Sequence, residues 1–217
     1  MAIAFNRPEN HATLLDELAA RCRGGLATAG GRARVEPSGL AALDTLLPGG
    51  GWPCGAVTEL IPDTFGVGEL ELLLPALATL SRAGRALVFI APPRLPCALG
   101  LAQRGIELAQ LLLVTTRTDR ETLWAAEQAL RCPGVGAVLL WPAAPGERCV
   151  RRLQLAAETG GALGFLFRPA TAAAVPSPAA LRLCLHPRRA GTELCIIKAR
   201  GGRPHALVLP AAAAAGF

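Results

Sequence analysis

The chain has 217 residues, of which 52% are hydrophobic and only 18% are charged, and its formal net charge is +6. A chain of this length and apolar content can bury the core of one α/β domain, which excludes a largely disordered protein. The N-terminus lacks a basic segment followed by an apolar one, and no run of about 18 apolar residues occurs. We therefore expect a cytoplasmic protein without a membrane span.

The positive charge comes almost entirely from arginine, because Lys198 is the only lysine. Arginine binds phosphate and persists at protein interfaces, but a GC-rich coding sequence also enriches arginine. The charge alone therefore does not predict nucleic-acid binding. The seven cysteines and three histidines are scattered and form no Cys-x-x-Cys pair. This spacing predicts no metal site.

The first predicted element is a short amphipathic helix over Thr13–Arg23. Leu14, Leu15 and Leu18 lie on one stripe of this helix, and a Gly-rich stretch at residues 24–31 follows it. A lone short helix is not stable by itself in water. It must therefore dock on this chain, on a second copy in a homo-oligomer, or on a partner. We predict that the three leucines form a contact surface.

The next part of the chain alternates apolar strand patterns with helical patterns, which is typical of repeated β-α-β units. Such units predict an α/β fold with a mainly parallel, twisted sheet covered by helices. The helix predicted over Glu69–Arg82 contains Pro75, which we expect to kink it. The other predicted elements are strands at Ala56–Ile61, Arg85–Ile90, Leu111–Thr115, Ala137–Trp141, Leu163–Phe167, Leu181–Leu185, Glu193–Lys198 and Ala206–Leu209, and helices near Cys97–Arg104, at Thr118–Arg131 and at Glu147–Glu158.

These patterns divide the chain into three parts. Residues 1–35 hold the N-terminal helix and the Gly-rich linker, and residues 36–210 form the core domain. The Ala-rich residues 211–217 are of low complexity, and we expect them to form a flexible tail.

Two glycine-containing segments precede the first predicted strand of the core, and two further glycines follow it. The chain runs Ser-Gly-Leu-Ala-Ala-Leu-Asp over residues 38–44 and Pro-Gly-Gly-Gly-Trp-Pro-Cys-Gly over residues 48–55. This pattern resembles the approach to the phosphate-binding loop of RecA-type recombinases, in which Gly-Lys-Ser/Thr holds the phosphates and magnesium. Here Gly66 and Gly68 remain. Glu69 stands in place of the lysine, and Leu70 stands in place of the hydroxyl.

A second segment, residues 87–141, follows RecA spacing almost without gaps. The glutamate that activates water falls on Pro93, and the acidic residue of the Walker B strand falls on Trp141. Glu69 would repel a triphosphate, and Leu70 offers no oxygen to magnesium. The resemblance therefore implies a RecA-like fold with a degenerate P-loop that binds no cofactor or metal and has no catalytic residue.

Nearly all of residues 11–210 are similar to the bacterial ImuA family, notably Gly-Gly-Gly-Trp-Pro at residues 49–53 and Glu-Leu-Glu-Leu-Leu-Leu-Pro at residues 69–75. Members of this family are accessory proteins of translesion DNA synthesis in the SOS response to DNA damage. The resemblance implies a non-catalytic adaptor that binds ImuB, an inactive Y-family polymerase homologue, and an error-prone C-family DNA polymerase. RecA is a further candidate partner, and we expect association with the nucleoid when DNA is damaged.

Two other functions stay open. The cell-division inhibitor SulA, which binds a tubulin-like division protein, shares the pattern from about Gly66 to Pro169 but has no counterpart of residues 38–55. The third class is an ATP-dependent, recombinase-like enzyme, which nucleotide binding would distinguish from the other two. Polymerase genes beside this gene would favour the adaptor over the division inhibitor.

Two basic groups are candidate contacts for a partner or for DNA. Arg148, Arg151 and Arg152 are spaced to share one helix face. Lys198 and Arg200 lie where recombinases reach towards a neighbouring protomer. Such residues more often form an ordinary solvated face. The loops that contact DNA in recombinases would be short here, without an aromatic side chain to stack on bases, so we expect DNA contact to be weak or indirect.

Overall fold

A computed structural model describes residues 2–4, 9–22, 34–66, 68–189 and 191–210 of the chain. Its strands are β1 (Ala2–Ala4), β2 (Val35–Glu36), β3 (Trp52–Pro53), β4 (Ala56–Pro62), β5 (Ala86–Ile90), β6 (Leu111–Thr115), β7 (Val135–Leu140), β8 (Leu163–Phe167), β9 (Leu181–Arg188), β10 (Gly191–Ala199) and β11 (His205–Pro210). Its helices are α1 (Glu9–Cys22), α2 (Ala41–Asp44), α3 (Leu74–Arg82), α4 (Ala98–Gln103), α5 (Asp119–Arg131) and α6 (Glu147–Gly160).

Within these residues, nine strands form one sheet in the order β1-β6-β5-β7-β8-β4-β9-β10-β11. All pairings from β1 to β9 in this order are parallel. The last two pairings, β9 with β10 and β10 with β11, are antiparallel. The mainly parallel sheet covered by helices, which the sequence predicts, is therefore confirmed, and β4 lies in its interior.

The sheet separates two hydrophobic cores because alternate residues of a strand point to opposite faces. Val88 and Val138 face a core that contains residues of α1, α5 and α6. Leu87 and Leu139 face the other core, which contains residues of α2, α3 and α4. The strands between the two layers are buried on both sides, which explains their continuous apolar sequences.

The predicted start of α5 is confirmed in its side-chain contacts. The Thr118 hydroxyl accepts a hydrogen bond from the Glu121 backbone N–H at 3.2 Å. The Glu121 carboxylate in turn accepts one from the Arg117 backbone N–H at 2.8 Å. Each side chain thus satisfies a backbone donor at the helix start, but the Glu121 carboxylate accepts from the residue before the N-cap, whereas in a capping box it would accept from the N-cap itself.

The start predicted for α3 was wrong. Residues 68–73 form turns, in which the Leu72 N–H donates to the Gly68 carbonyl at 3.2 Å. The helix begins only at Leu74, and Pro75 lies in its first turn. Proline has no N–H and is tolerated in a first turn, where that N–H has no partner within the helix. Pro75 therefore sets the beginning of α3 and does not kink it.

The predicted contact stripe of α1 also needs correction. Leu14 and Leu18 are buried in the core that α5 and α6 share, whereas Leu15 is 43% exposed. The preceding strand β1 extends the main sheet by pairing with β6. The described residues of β1 and α1 thus pack on the core domain. The Gly-rich linker and the tail at residues 211–217 lie outside the described residues.

Candidate functional site

The β4–α3 loop (residues 63–73) lies at the carboxyl end of a fully buried strand, since every residue of β4 is buried. In nucleotide-binding α/β proteins, backbone N–H groups at this position cradle a phosphate. Gly66 and Gly68 have φ angles of +93° and +96°, a region that glycine enters readily and other residues rarely do. The loop thus contains two backbone conformations that depend on glycine.

The Glu69 carboxylate binds the backbone of this same loop. Its Oε1 accepts a hydrogen bond from the Gly66 N–H at 2.7 Å, and the residue is only 8% exposed. A carboxylate brings to this N–H the negative charge that a phosphate would otherwise supply. Glu69 therefore acts as an internal anion for the loop, and its charge opposes the approach of a second anion.

The residues after Glu69 do not rebuild a phosphate site. Leu70 is partly buried and packs against the core that contains α3. The free N–H groups of a helix N-terminus attract anions, but α3 begins only at Leu74. The N-terminus of α3, whose N–H groups would attract an anion, therefore lies several residues after Gly66 and Gly68.

Aromatic side chains occupy the carboxyl ends of the neighbouring strands. The Trp141 ring, which directly follows β7, stacks on Phe167 of β8 with centroids 4.3 Å apart and planes 8° from parallel. Phe89 of β5 lies against the same indole at 6.1 Å. Pro93 is exposed in the segment that follows β5. Trp141 therefore packs against the aromatic side chains at the carboxyl ends of these strands.

Glu59 is the centre of a buried charge cluster that the sequence analysis did not single out. Its side chain, in β4, is fully buried. Oε1 accepts hydrogen bonds from Arg168 at 3.0 Å and from the Ser177 hydroxyl at 2.6 Å, and Oε2 accepts one from Arg182 at 2.6 Å. A buried carboxylate needs such partners to remain charged. The available signal was one acidic residue inside an apolar strand pattern.

This cluster attaches residues 168–180 to the sheet, because Arg168 and Ser177 bind Glu59 and the Ala172 carbonyl accepts a hydrogen bond from Arg182. Lys198 joins it, because its ammonium donates to the Ser177 carbonyl at 2.6 Å. Burial lowers the pKa of Lys198, and the positive charges of Arg182 and Arg200 lower it further. Lys198 therefore helps to hold this segment in place, and its role as a partner contact stays a prediction. Arg200 stays exposed, 3.8 Å from Glu158.

The arginines of α6 lie together on an exposed face, which we call the α6 basic face (Arg148, Arg151 and Arg152). Arg151 is paired with Glu147 at 3.4 Å within the helix. Arg152 reaches Glu127 of α5 at 2.5 Å. The structure thus brings these three predicted site residues together.

Two features flank the α6 basic face and add apolar surface to it. Leu155, one turn further along α6, is exposed. A cavity of about 480 Å³ opens between α5 and α6 and is lined in part by Leu123, Trp124 and Arg152. Apolar surface beside arginines is typical of protein interfaces.

In the part of the chain that the structure describes, no three His, Cys, Asp or Glu side chains come together as a metal site. No helix of the same residues is long and apolar enough to cross a membrane.

Comparison with known proteins relates the chain to two kinds of bacterial protein, although no protein-family model matches it. It is 35% identical over 136 residues to Protein ImuA of Caulobacter vibrioides, a match that covers 60% of this chain and 54% of that protein. The chain thus spans about half the length of this relative.

The second kind is named Cell division inhibitor SulA. The chain is 30% identical over 115 residues to SulA of Serratia proteamaculans, covering 53% of this chain and 68% of that protein. It is 32% identical over 132 residues to SulA of Yersinia pestis, covering 61% and 79%. The crystal structure of SulA from Pseudomonas aeruginosa aligns with 27% identity and a TM-score of 0.45, over 52% of this chain and 97% of that one.

Proposed function

Because the chain belongs to the family of ImuA and SulA proteins, we propose that it is a non-catalytic, RecA-like accessory protein of translesion DNA synthesis in the SOS response. It acts by binding an ImuB-like Y-family polymerase homologue and an error-prone C-family DNA polymerase. It works in the cytoplasm, at the nucleoid when DNA is damaged.

The observation that carries the non-catalytic part is the bond between Glu69 and the Gly66 N–H. The carboxylate satisfies a loop donor that a phosphate would need, and it adds repulsion to any nucleotide that approaches. The stacked rings of Trp141 and Phe167 support the same conclusion, since they stand where a metal-ordering carboxylate would be required.

Calorimetry with magnesium-ATP tests this part. We expect no micromolar binding to the full chain and no ATP hydrolysis with or without DNA. As a matched comparison, Glu69→Gln removes the negative charge at constant size, and it should bind inorganic phosphate or ATP no more weakly than the parent chain. A DNA-stimulated ATPase activity that a Gly68 substitution abolishes would contradict the proposal.

The accessory role requires a surface for the partner, and we assign it to the α6 basic face. Arg148 and Arg151 are exposed, and Leu155 provides apolar area one turn away. Arginine next to apolar surface suits an acidic, partly apolar segment of the ImuB-like partner. The same arginines account for any DNA contact, which would be weak and independent of sequence.

A pull-down with purified ImuB-like protein tests the surface. We expect the double variant Arg148→Ala/Arg151→Ala to retain much less partner than the parent chain. The double variant Arg94→Ala/Arg203→Ala removes the same charge from exposed positions elsewhere and should bind as the parent does. Equal loss of partner binding in both variants would show that only the net charge of the chain matters. No loss in either variant would show that the partner binds another surface.

The SulA-named relatives support a second candidate function, inhibition of cell division by binding a tubulin-like protein, because the matches cover 68% to 79% of their lengths. Light scattering of the assembling division protein distinguishes the two functions, since only a division inhibitor would suppress the signal at stoichiometric concentration.

A further inference from the structure

Two cysteines face each other across the antiparallel pair of β9 and β10. Cys184 and Cys195 are direct partners in the register of these strands, and both are free thiols. They share a small apolar cluster with Ile61 and Ala172, so both side chains lie on the same face of the sheet. The proposed function makes no use of this pair.

The spacing of such partners suits a covalent bond. Residues directly opposite in an antiparallel ladder have Cα atoms about 4.5–5.5 Å apart, and disulfides form over Cα distances of about 4.4–6.8 Å. The other described free cysteines lie in separate parts of the chain: Cys54 in the turn before β4, Cys97 just before α4, and Cys149 in α6. We propose that Cys184 and Cys195 form an oxidisable dithiol site that reacts with a small-molecule disulfide, such as glutathione disulfide, and closes to a cross-strand disulfide.

The reaction begins at Cys195, which is the less buried of the two. Its thiolate attacks one sulfur of the reagent, the reagent's S–S bond breaks, and one thiolate leaves. The Cys184 thiolate then attacks Sγ of Cys195, displaces the second thiolate and forms the protein disulfide. The two cysteines together lose two electrons and two protons, and the reagent becomes two free thiols.

The surroundings make both thiols slow to react. Burial raises the pKa of Cys184, and the neighbouring Cys195 and Asp63 raise it further against the opposing effect of Arg182. Burial also raises the pKa of Cys195, with Glu193 adding to the rise and Arg188 opposing it. The exposed Cys97 should therefore react first. The pair differs from Cys97 in its end product, because its second thiol resolves the mixed disulfide.

The consequence is a link between the antiparallel strands and the parallel sheet. Cys184 lies in register with Ile61 of β4. The adjacent Leu185 carbonyl accepts a hydrogen bond from the Asp63 N–H at 3.0 Å, at the start of the β4–α3 loop. A bond between β9 and β10 would therefore stiffen the edge beside this loop. Stabilisation by a disulfide of this loop length corresponds to a rise in Tm of roughly 5 °C or more.

Peptide mapping tests the proposal on the full chain carrying Cys97→Ser, which removes an exposed thiol that could link molecules. Trypsin cuts at Arg182, Arg188, Arg189 and Lys198 and thus separates the two cysteines into different short peptides. After incubation with glutathione disulfide we expect these two peptides to be joined, without retained glutathione, and reduction with a dithiol to release them.

Two variants show whether the pair acts as a unit. In Cys184→Ser, or in Cys184→Ala if the hydroxyl destabilises the core, we expect Cys195 to keep its glutathione adduct because the resolving thiol is missing. Cys149→Ser, which lacks a cysteine partner in register, should behave as the parent does. A persistent adduct on Cys195 in the parent chain, or two unreacted thiols after Cys54 and Cys149 have reacted, would overturn the proposal.

Discussion

Glu59 and Glu127 each bind two arginines, but the two arginine pairs differ in their exposure to solvent. The partners of Glu59 are Arg168 and Arg182, whose side chains are 13% and 6% exposed. The partners of Glu127 are Arg131 and Arg152, whose side chains are 51% and 67% exposed. Both carboxylates are almost completely buried, so the difference lies in the arginines.

The comparison shows which charges are available to a partner. Arg182 has little access to water, so it needs Glu59 as its counter-charge. Arg152 can return its guanidinium to solvent at little cost and can exchange Glu127 for an acidic group of another protein. The cluster at Glu59 therefore maintains the fold, whereas the arginines beside Glu127 can serve recognition.

Glu59→Gln should have the largest effect on stability. It leaves Arg182 without a buried counter-charge, and we expect the free energy of unfolding to fall by about 3–5 kcal/mol. Urea denaturation followed by circular dichroism measures it. Glu127→Gln is the matched control, and it should cost about 1 kcal/mol or less because its arginines reach water. Equal effects of the two substitutions would remove the distinction between the clusters.

A second test extends the comparison to the apolar residues of α1. Leu14→Ala should lower the free energy of unfolding by about 2–5 kcal/mol because it opens a cavity in the core. Leu15→Ala changes an exposed neighbour and should stay within about 0.5 kcal/mol. Thermal melts of both variants provide the measurement. If deleting residues 1–30 left a fully cooperative melt at an unchanged Tm, α1 would not be part of the core that stabilises the domain.

The smallest expected effect on stability belongs to the α6 basic face. Arg148→Ala/Arg151→Ala should change the free energy of unfolding by less than about 1 kcal/mol, since the one ion pair that it removes lies on the surface. Weak binding to duplex DNA, followed by fluorescence anisotropy, should decrease in the same variant and show a shallower dependence on salt. Tight DNA binding that survives high salt would contradict the expectation that these arginines make only weak electrostatic contacts with DNA.

The sequence predicted most of the elements because their periodicity is local. The strands at Leu111–Thr115 and Leu163–Phe167 have the predicted bounds, since each is a short apolar run between turn residues. The start of α3 was predicted too early, because an apolar helical pattern extends across residues 69–74. Residues 69–73 form turns, so Pro75 lies in the first turn of the helix and not in its middle. The three-residue strand β1 offered too little pattern to be recognised.

Part of the candidate site could also be predicted from the sequence. The presence of Glu69 directly after Gly68 is visible in the residues themselves, and so is the helical spacing of Arg148, Arg151 and Arg152. The hydrogen bond from Gly66 to Glu69 depends on the backbone path of the loop. The sequence therefore shows a carboxylate at this position, but not that this carboxylate binds the loop.

The sequence by itself determined the alternation of strands and helices, the mainly parallel sheet and the residue types of the β4–α3 loop. Only the tertiary structure decided which charged and apolar residues are buried. Glu59 meets Arg168 and Arg182 across separations of 109 and 123 residues, and Leu14 packs in a core shared with α5 and α6. Such contacts join strands and helices that are neighbours in space and distant along the chain, so no local pattern records them.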